Sequence, residues 1–209
     1  MSKKKDRQDI VDKIKAAAVL YEKNLVGKRF MYVFDERYIE VIYKARNFRH
    51  LTGVDTKLSA KRFYDYARKG KLEASQISFG PSHPFALCKR KVKHIGDVAS
   101  MAMTECFMLE DVKTNSTNYK FGTTDLEFTL CMNRETDANG NEKSECYVVQ
   151  SLRDGDCFSK SNNVYSVSHI FSRPNDKKKY TDLLFMDKTA SISEMPSHIL
   201  NMLDAGFVE

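Results

Sequence analysis

The spacing of apolar positions divides the chain into an early helical part and a later strand-rich part. Between Lys5 and Leu25, Ile10, Ile14, Ala18 and Tyr21 fall close to one helical stripe with Lys and Asp opposite, which predicts an amphipathic helix ending near Gly27. The segments "KRFMYVFD" (28 to 35) and "RYIEVIYKA" (37 to 45) are rich in Tyr, Phe, Val and Ile and flank a short acidic turn, the pattern of a β-hairpin. "KLSAKRFYDYARKGKL" predicts a second helix, with Ser59 as N-cap, Phe63, Tyr66 and Ala67 on one face and Gly70 as its stop. A third, weaker helix is expected over 94 to 103, after a Pro-bounded loop at 80 to 85.

The later half changes period. "CFMLEDV", "TNYKFG", "LEFTLCM", "ECYVVQSLR", "YSVSHIF" and "YTDLLFM" are short strand-like runs broken by turn residues, and Asn139-Gly140 is a strong hairpin signal. Four to six antiparallel strands are expected, then a closing helix with Pro196 in its first turn and Gly206 near its end. Helices gathered early and strands late predict an α+β fold, a mainly antiparallel sheet with N-terminal helices on one face. The expected organisation is a helix over 1–27, one α+β unit over 28–190 and a C-terminal helix over 191–209.

Composition narrows the function classes. Of 209 residues, 42% are hydrophobic and 30% charged, a globular balance rather than a disordered one. The net charge of +6 permits a nucleic-acid partner without demanding one. Local basic runs say more: "MSKKKDR", "CKRKVKH" at 88 to 94 and "DKKKY" at 176 to 180. Five cysteines without a C-x-x-C pair disfavour a disulfide framework or a zinc site and fit a reducing cytoplasm. No apolar run approaches the roughly 18 residues that span a bilayer, and no nucleotide-binding or common metal motif occurs, so no cofactor and no membrane partner are expected.

Two polar constellations could carry chemistry. In "NFRHLTGV" (47 to 54) His50 precedes Thr52 and Gly53, where the chain is expected to leave a strand at Phe48 and turn; Lys57, Lys61 and Arg62 stand at the mouth of the second helix. A histidine there is either a packed ring or a proton-transfer group, since its ordinary pKa near 6.5 suits both directions of transfer. In "QSLRDGDCFSKSNN" (150 to 163), Arg153, Ser159, Lys160 and Ser161 surround an Asp-Gly-Asp turn, which fits a phosphate clamp or a self-bonded polar loop.

Together "YVFDERYIEVIYKARNFRHLTGV", "KLSAKRFYDYARKGKLEASQISF", "YKFGTTDLEFTLCM" and "SLRDGDCFSKSNNVYSVSHIFSR" resemble the PBECR domains, in particular the fourth group. These phage- and mobile-element-associated proteins are grouped with barnase, EndoU, colicin and RelE-like ribonucleases. The resemblance runs from about Leu20 to Asp187, and its most specific words are F-x-H-L-T-G and the later S-L-R and F-x-K-S. It implies a fold of that superfamily and RNA cleavage without metal, a general base activating the ribose 2'-hydroxyl against the adjacent phosphate. His50 would then be the base or acid, Arg153 and Lys160 would hold the phosphate, and Ser159 or Ser161 and Thr52 would donate hydrogen bonds. No second histidine stands out as partner: His169 reads as a strand residue and His94 follows a basic run.

Three functions fit these residues. One is a small metal-independent ribonuclease, a toxin or phage effector with RNA as substrate and an antitoxin as possible partner. Another is a non-catalytic anti-defence protein that binds a host defence nuclease. The third is an RNA-binding module using Lys89, Arg90, Lys91 and Lys93 on phosphates.

Overall fold

The computed structural model describes residues 3–115 and 117–207. The chain opens with helix α1 (Lys3–Asn24) and the hairpin β1 (Lys28–Phe34) and β2 (Arg37–Ile42). Helices α2 (Phe48–Thr52), α3 (Ala60–Arg68), α4 (Phe85–His94) and α5 (Val98–Met101) follow. Strands β3 (Phe107–Lys113), β4 (Asn118–Thr124), β5 (Phe128–Thr136), β6 (Glu142–Asp154), β7 (Asn163–Ser166), β8 (His169–Pro174) and β9 (Asp182–Met186) then precede the short α6 (Ser197–Leu200).

Among the described residues these strands form one nine-stranded sheet in the order β7-β3-β4-β5-β6-β2-β1-β8-β9. Its neighbours are antiparallel except β2 and β6, which run parallel through Val41 opposite Tyr147 and Ile42 opposite Val148. The fold is therefore α+β with a mostly antiparallel sheet. Asn139 and Gly140 turn β5 into β6, with Gly140 at φ 86°. Asp35 and Glu36 close the β1–β2 hairpin in left-handed conformations, φ 48° and 56°, the twist that a two-residue hairpin loop needs.

Strand β1 is buried on both faces, which is why it reads as a continuous apolar run. Phe30, Tyr32 and Phe34 join the main core with Ile10, Ile14 and Tyr21 of α1 and with the helices. Met31 and Val33 face the opposite layer, where Phe171, Tyr180, Ile199 and Leu203 close over them. A third cluster joins Leu109, Val112, Tyr119 and Cys131 of β3–β5 to Cys157 of the loop after β6, with Phe158 packed against it. All five cysteines are free and buried. Among the described residues no helix is long and apolar enough to cross a membrane.

Three elements differ from the pattern reading, each for a physical reason. The chain does not leave a strand at Phe48: β2 ends at Ile42, and Phe48 and Leu51 bury at helical spacing in α2, which Gly53 ends at φ 70°. The helix expected over 94 to 103 is two, with the longer one starting at Phe85. Pro84 is its N-cap at φ −66°, and Cys88, Val92 and Ile95 form a buried stripe that the lysines and arginine between them mask in sequence. The closing helix is limited to Ser197–Leu200, because the chain turns back to pair Tyr180 N with Met202 O and Asp204 N with Tyr180 O.

The outer layer is fastened by a buried ion cluster on Glu40 of β2. One carboxylate oxygen accepts from Tyr180 Oη at 2.6 Å and Arg173 Nη2 at 3.2 Å, and the other faces Arg29 Nη1 at 3.4 Å. Burial alone would raise the Glu40 pKa, but the bonds from Tyr180 and Arg173 and the charge of Arg29 outweigh it and hold the carboxyl below its ordinary value. Glu40→Ala leaves the guanidinium of Arg173, 8% exposed, without its counter-ion, and is expected to cost about 3–5 kcal/mol in denaturant unfolding. Because the folded pKa is the lower one, the charge-dependent part of this contribution is full above about pH 4.3 and is lost as pH falls through the folded value, so the gap between wild type and variant narrows in acid. An unchanged difference at acid pH would contradict the assignment.

Candidate functional site

Helix α2 carries the site and is held on every side. Tyr21 of α1 packs its ring at 5.1 Å from Phe48, which in turn lies 5.4 Å from Tyr64 of α3. Asn47 Nδ2 donates to Val149 O of β6 at 3.0 Å, fixing the start of the helix on the sheet. A five-residue helix leaves most of its carbonyls without backbone partners. Here side chains take them: Thr52 Oγ1 donates to Arg49 O at 2.7 Å, Lys91 Nζ to His50 O at 3.1 Å, and Cys88 Sγ to Thr52 O at 3.5 Å.

His50 is exposed as a residue, with its ring half covered where it borders two clefts. One, about 310 Å³, is lined by Asn47, His50, Thr117, Tyr119, Glu135, Val148 and Gln150. Its acid, Glu135, is neutralised by ion pairs with Lys44 and Arg46. The other, about 130 Å³, is lined by Arg49, His50, Gly53, Val54, Asp55, Thr56 and His83. Burial and the nearby charges of Arg49, Lys91 and His83 push the His50 pKa below its ordinary value, so the ring is neutral near pH 7.

Lys91 is the electrostatic centre. It is 8% exposed, and its pKa is lowered to about 8 by burial and then by the positive charge of Arg153. Among the described residues no carboxylate pairs with it. Arg153 of β6 reaches the β3–β4 turn, donating from Nη2 to Thr114 Oγ1 at 3.4 Å. Thr114 Oγ1 also donates to the carbonyl of Thr117, whose residue lines the first His50 cleft. Lys91, Arg153 and Lys160 all lie within electrostatic reach of the buried Cys131 thiol, which burial nevertheless pushes up to about 12. His50 is thus coupled to Lys91, and Lys91 to Arg153, while Arg153 and Lys160 share the surroundings of Cys131.

The remaining sequence candidates sort differently. Ser159 and Lys160 are exposed on a 3₁₀ turn over Phe158–Lys160, while the Ser161 hydroxyl donates to Phe158 O at 2.9 Å. Thr52 is buried, its hydroxyl bonded to Arg49 O and to Val54 N, so it closes the helix end. Lys57 is exposed in the loop before α3. Lys61 and Arg62 line a separate cleft with Tyr66, Lys69 and Lys71, and the Arg62 guanidinium bonds Tyr66 Oη at 2.7 Å. Lys89 and Arg90 are exposed on α4, away from the buried stripe that holds Lys91. His94 is buried against Phe128 and bonded to Asp154 at 3.0 Å, and His169 is buried in β8.

The pattern reading did not find His83, Asp55, Asn47 or Gln150. His83 Nδ1 bonds Asp55 Oδ1 at 2.6 Å across 28 residues of sequence. The only sequence trace of this pairing is a histidine between two prolines in "PSHP". Among the described residues no group of three or more His, Cys, Asp or Glu is arranged to hold a metal ion. Residues 13–189 match the protein family described as phage-Barnase-EndoU-ColicinE5/D-RelE like nuclease 4. No curated protein and no solved structure matches the chain.

An NMR titration tests the electrostatics directly. The His50 ring is expected to take its proton below the ordinary histidine value of about 6.5. Lys91→Met removes one of the cations that oppose protonation, so the midpoint should move upward, while burial keeps part of the shift. A midpoint at or above the ordinary value in the wild-type protein would refute this picture of the site.

Proposed function

The chain belongs to the phage-Barnase-EndoU-ColicinE5/D-RelE like nuclease 4 (PBECR4) family, and on that premise we propose that it is a metal-independent ribonuclease acting at the His50 clefts. The observation that carries this reading is Lys91: a buried ammonium that, among the described residues, has no carboxylate partner, coupled to Arg153 and bonded to the backbone carbonyl of His50. A buried ammonium of this kind is unfavourable by itself and is relieved by an anion. A phosphodiester is an anion of the right kind, with oxygens that Arg153 and Lys160 can engage by charge-assisted hydrogen bonds.

In this reading His50, neutral near pH 7, removes the proton of the ribose 2'-hydroxyl. The 2'-oxygen attacks phosphorus, the bond to the 5'-oxygen breaks, and Lys91, Arg153 and Lys160 stabilise the added charge on the non-bridging oxygens. The products are a 2',3'-cyclic phosphate and a 5'-hydroxyl, and no metal-bound water takes part. A toxin or effector acting on cytoplasmic RNA, held in check by a protein antitoxin, is the biological role that we attach to this chemistry. It is supported by the colicin- and RelE-like description of the family.

Purified protein incubated with RNA in EDTA is expected to leave 2',3'-cyclic phosphate ends. His50→Ala should lower the rate by roughly 10²- to 10⁴-fold, the usual contribution of a positioned acid or base, with little change in melting temperature because the residue lies at the surface. Arg153→Ala should weaken RNA binding and flatten its salt dependence, since each phosphate contact contributes to the slope. Absence of cleavage, with tight binding only to a protein partner, would overturn the ribonuclease reading in favour of an inhibitor.

A further inference from the structure

Transesterification of RNA needs a proton donor for the departing 5'-oxygen as well as a base for the 2'-hydroxyl, and His50 supplies one of the two. Of the five histidines, His50 and His83 share a cleft. His94 is a core ring, with a side chain 4% exposed, although it too is paired with an aspartate. His83 differs in being 41% exposed while its Nδ1 is bonded to Asp55 Oδ1. That bond fixes the ring orientation and leaves Nε2 as the nitrogen open to a ligand.

The backbone is built to bring this pair to His50. Asp55 and Ser78 form an isolated antiparallel bridge, Asp55 N to Ser78 O at 3.0 Å and Ser78 N to Asp55 O at 2.8 Å. The chain then turns over Gly80 to His83, with backbone bonds between those two residues in both directions. A side chain at position 80 would place its Cβ 2.9 Å from Asp55 Oδ2, so glycine lets the turn close on the carboxylate. Gly53 allows a second close approach, since a Cβ there would meet Lys91 Cδ at 2.8 Å. Arg49, which lines the same cleft, is tied to Leu58 O at 3.2 Å. The cleft of about 130 Å³ holds the volume of about four waters, enough for a phosphate group.

Resting on the ribonuclease reading, we propose that His83 is the second proton-transfer residue, donating from Nε2 to the 5'-oxygen as the phosphorus–oxygen bond breaks, with Asp55 as its positioning residue. The step balances: the 2'-oxygen–phosphorus bond forms, His50 takes the 2' proton, and the leaving oxygen receives the proton of His83. Hydrolysis of the cyclic phosphate would reverse the two roles.

The test compares two oligoribonucleotides under single-turnover conditions, one with a native linkage and one whose scissile 5'-oxygen is replaced by sulfur. A thiolate leaves without protonation, so only the native linkage needs an acid. His83→Gln is expected to slow cleavage of the native linkage by about 10²- to 10⁴-fold and to leave the sulfur linkage within a few-fold of wild type. Asp55→Asn should show a smaller loss with the same rescue by sulfur, and His50→Gln should be slow on both. Rescue by sulfur also shows that the variants are folded. Undiminished native cleavage by His83→Gln, or an equal loss on both linkages in a variant with wild-type melting temperature, overturns the role of His83 and leaves the ribonuclease reading standing. A wild-type protein that cleaves neither oligonucleotide overturns both.

Discussion

The parallel pairing of β2 with β6 is the constraint on which the rest of the molecule depends. It joins two antiparallel ribbons, β7-β3-β4-β5-β6 and β2-β1-β8-β9, through two residue pairs, Val41 with Tyr147 and Ile42 with Val148. A parallel neighbour cannot be reached by a tight turn. The chain must leave β2 and return later, and the helices α2 to α5 and strands β3 to β5 occupy that interval. The first thing it builds after β2 is α2, pinned to β6 by Asn47. His50 is thus placed beside the joint by the same requirement that makes the sheet continuous.

Charge is distributed in opposite ways at the two ends of this joint. Around Glu40, one mostly buried carboxylate is met by Arg173, Arg29 and Tyr180, and the cluster fastens the outer layer. Around His50, the cations Lys91 and Arg49 gather, and the acid of the larger cleft, Glu135, is already committed to Lys44 and Arg46. The fold tolerates Lys91 because its ammonium rests on the carbonyl of His50, at the negative end of α2. That contact uses one ammonium hydrogen, and the others remain as donors. The helix end and the cation support each other without neutralising the charge.

Much of the architecture is legible in the sequence because local rules and tertiary packing agree there. The α1 stripe, the Ser59 cap and the Asn139-Gly140 turn each follow from positions a few residues apart, and Ser59 Oγ does accept from Arg62 N. The α4 helix is harder to read because its buried stripe of Cys88, Val92 and Ile95 includes Lys91, a residue type that pattern reading assigns to solvent. Lys91 looks no different from Lys89 and Lys93 until its neighbours are known. The α2 segment is misread for a related reason: Phe48 and Leu51 are only two anchors, too few to show a period.

The Asp55–His83 pair shows most clearly what a single sequence withholds. Neither residue lies in a periodic element, and the contact depends on a one-residue β-bridge, a tight turn and a glycine that leaves room for the carboxylate behind it. Each of these is a long-range condition on a short loop. Loops carry such residues because a rigid frame can aim them without packing them in place. The frame here is α2 on one side and α4 on the other: Pro84 starts α4 directly after His83, and Lys91, two turns later on that helix, reaches back to His50. One helix therefore sets the position of the loop histidine at its start and of the buried cation along its length. A displacement of α4 would disturb both clefts together.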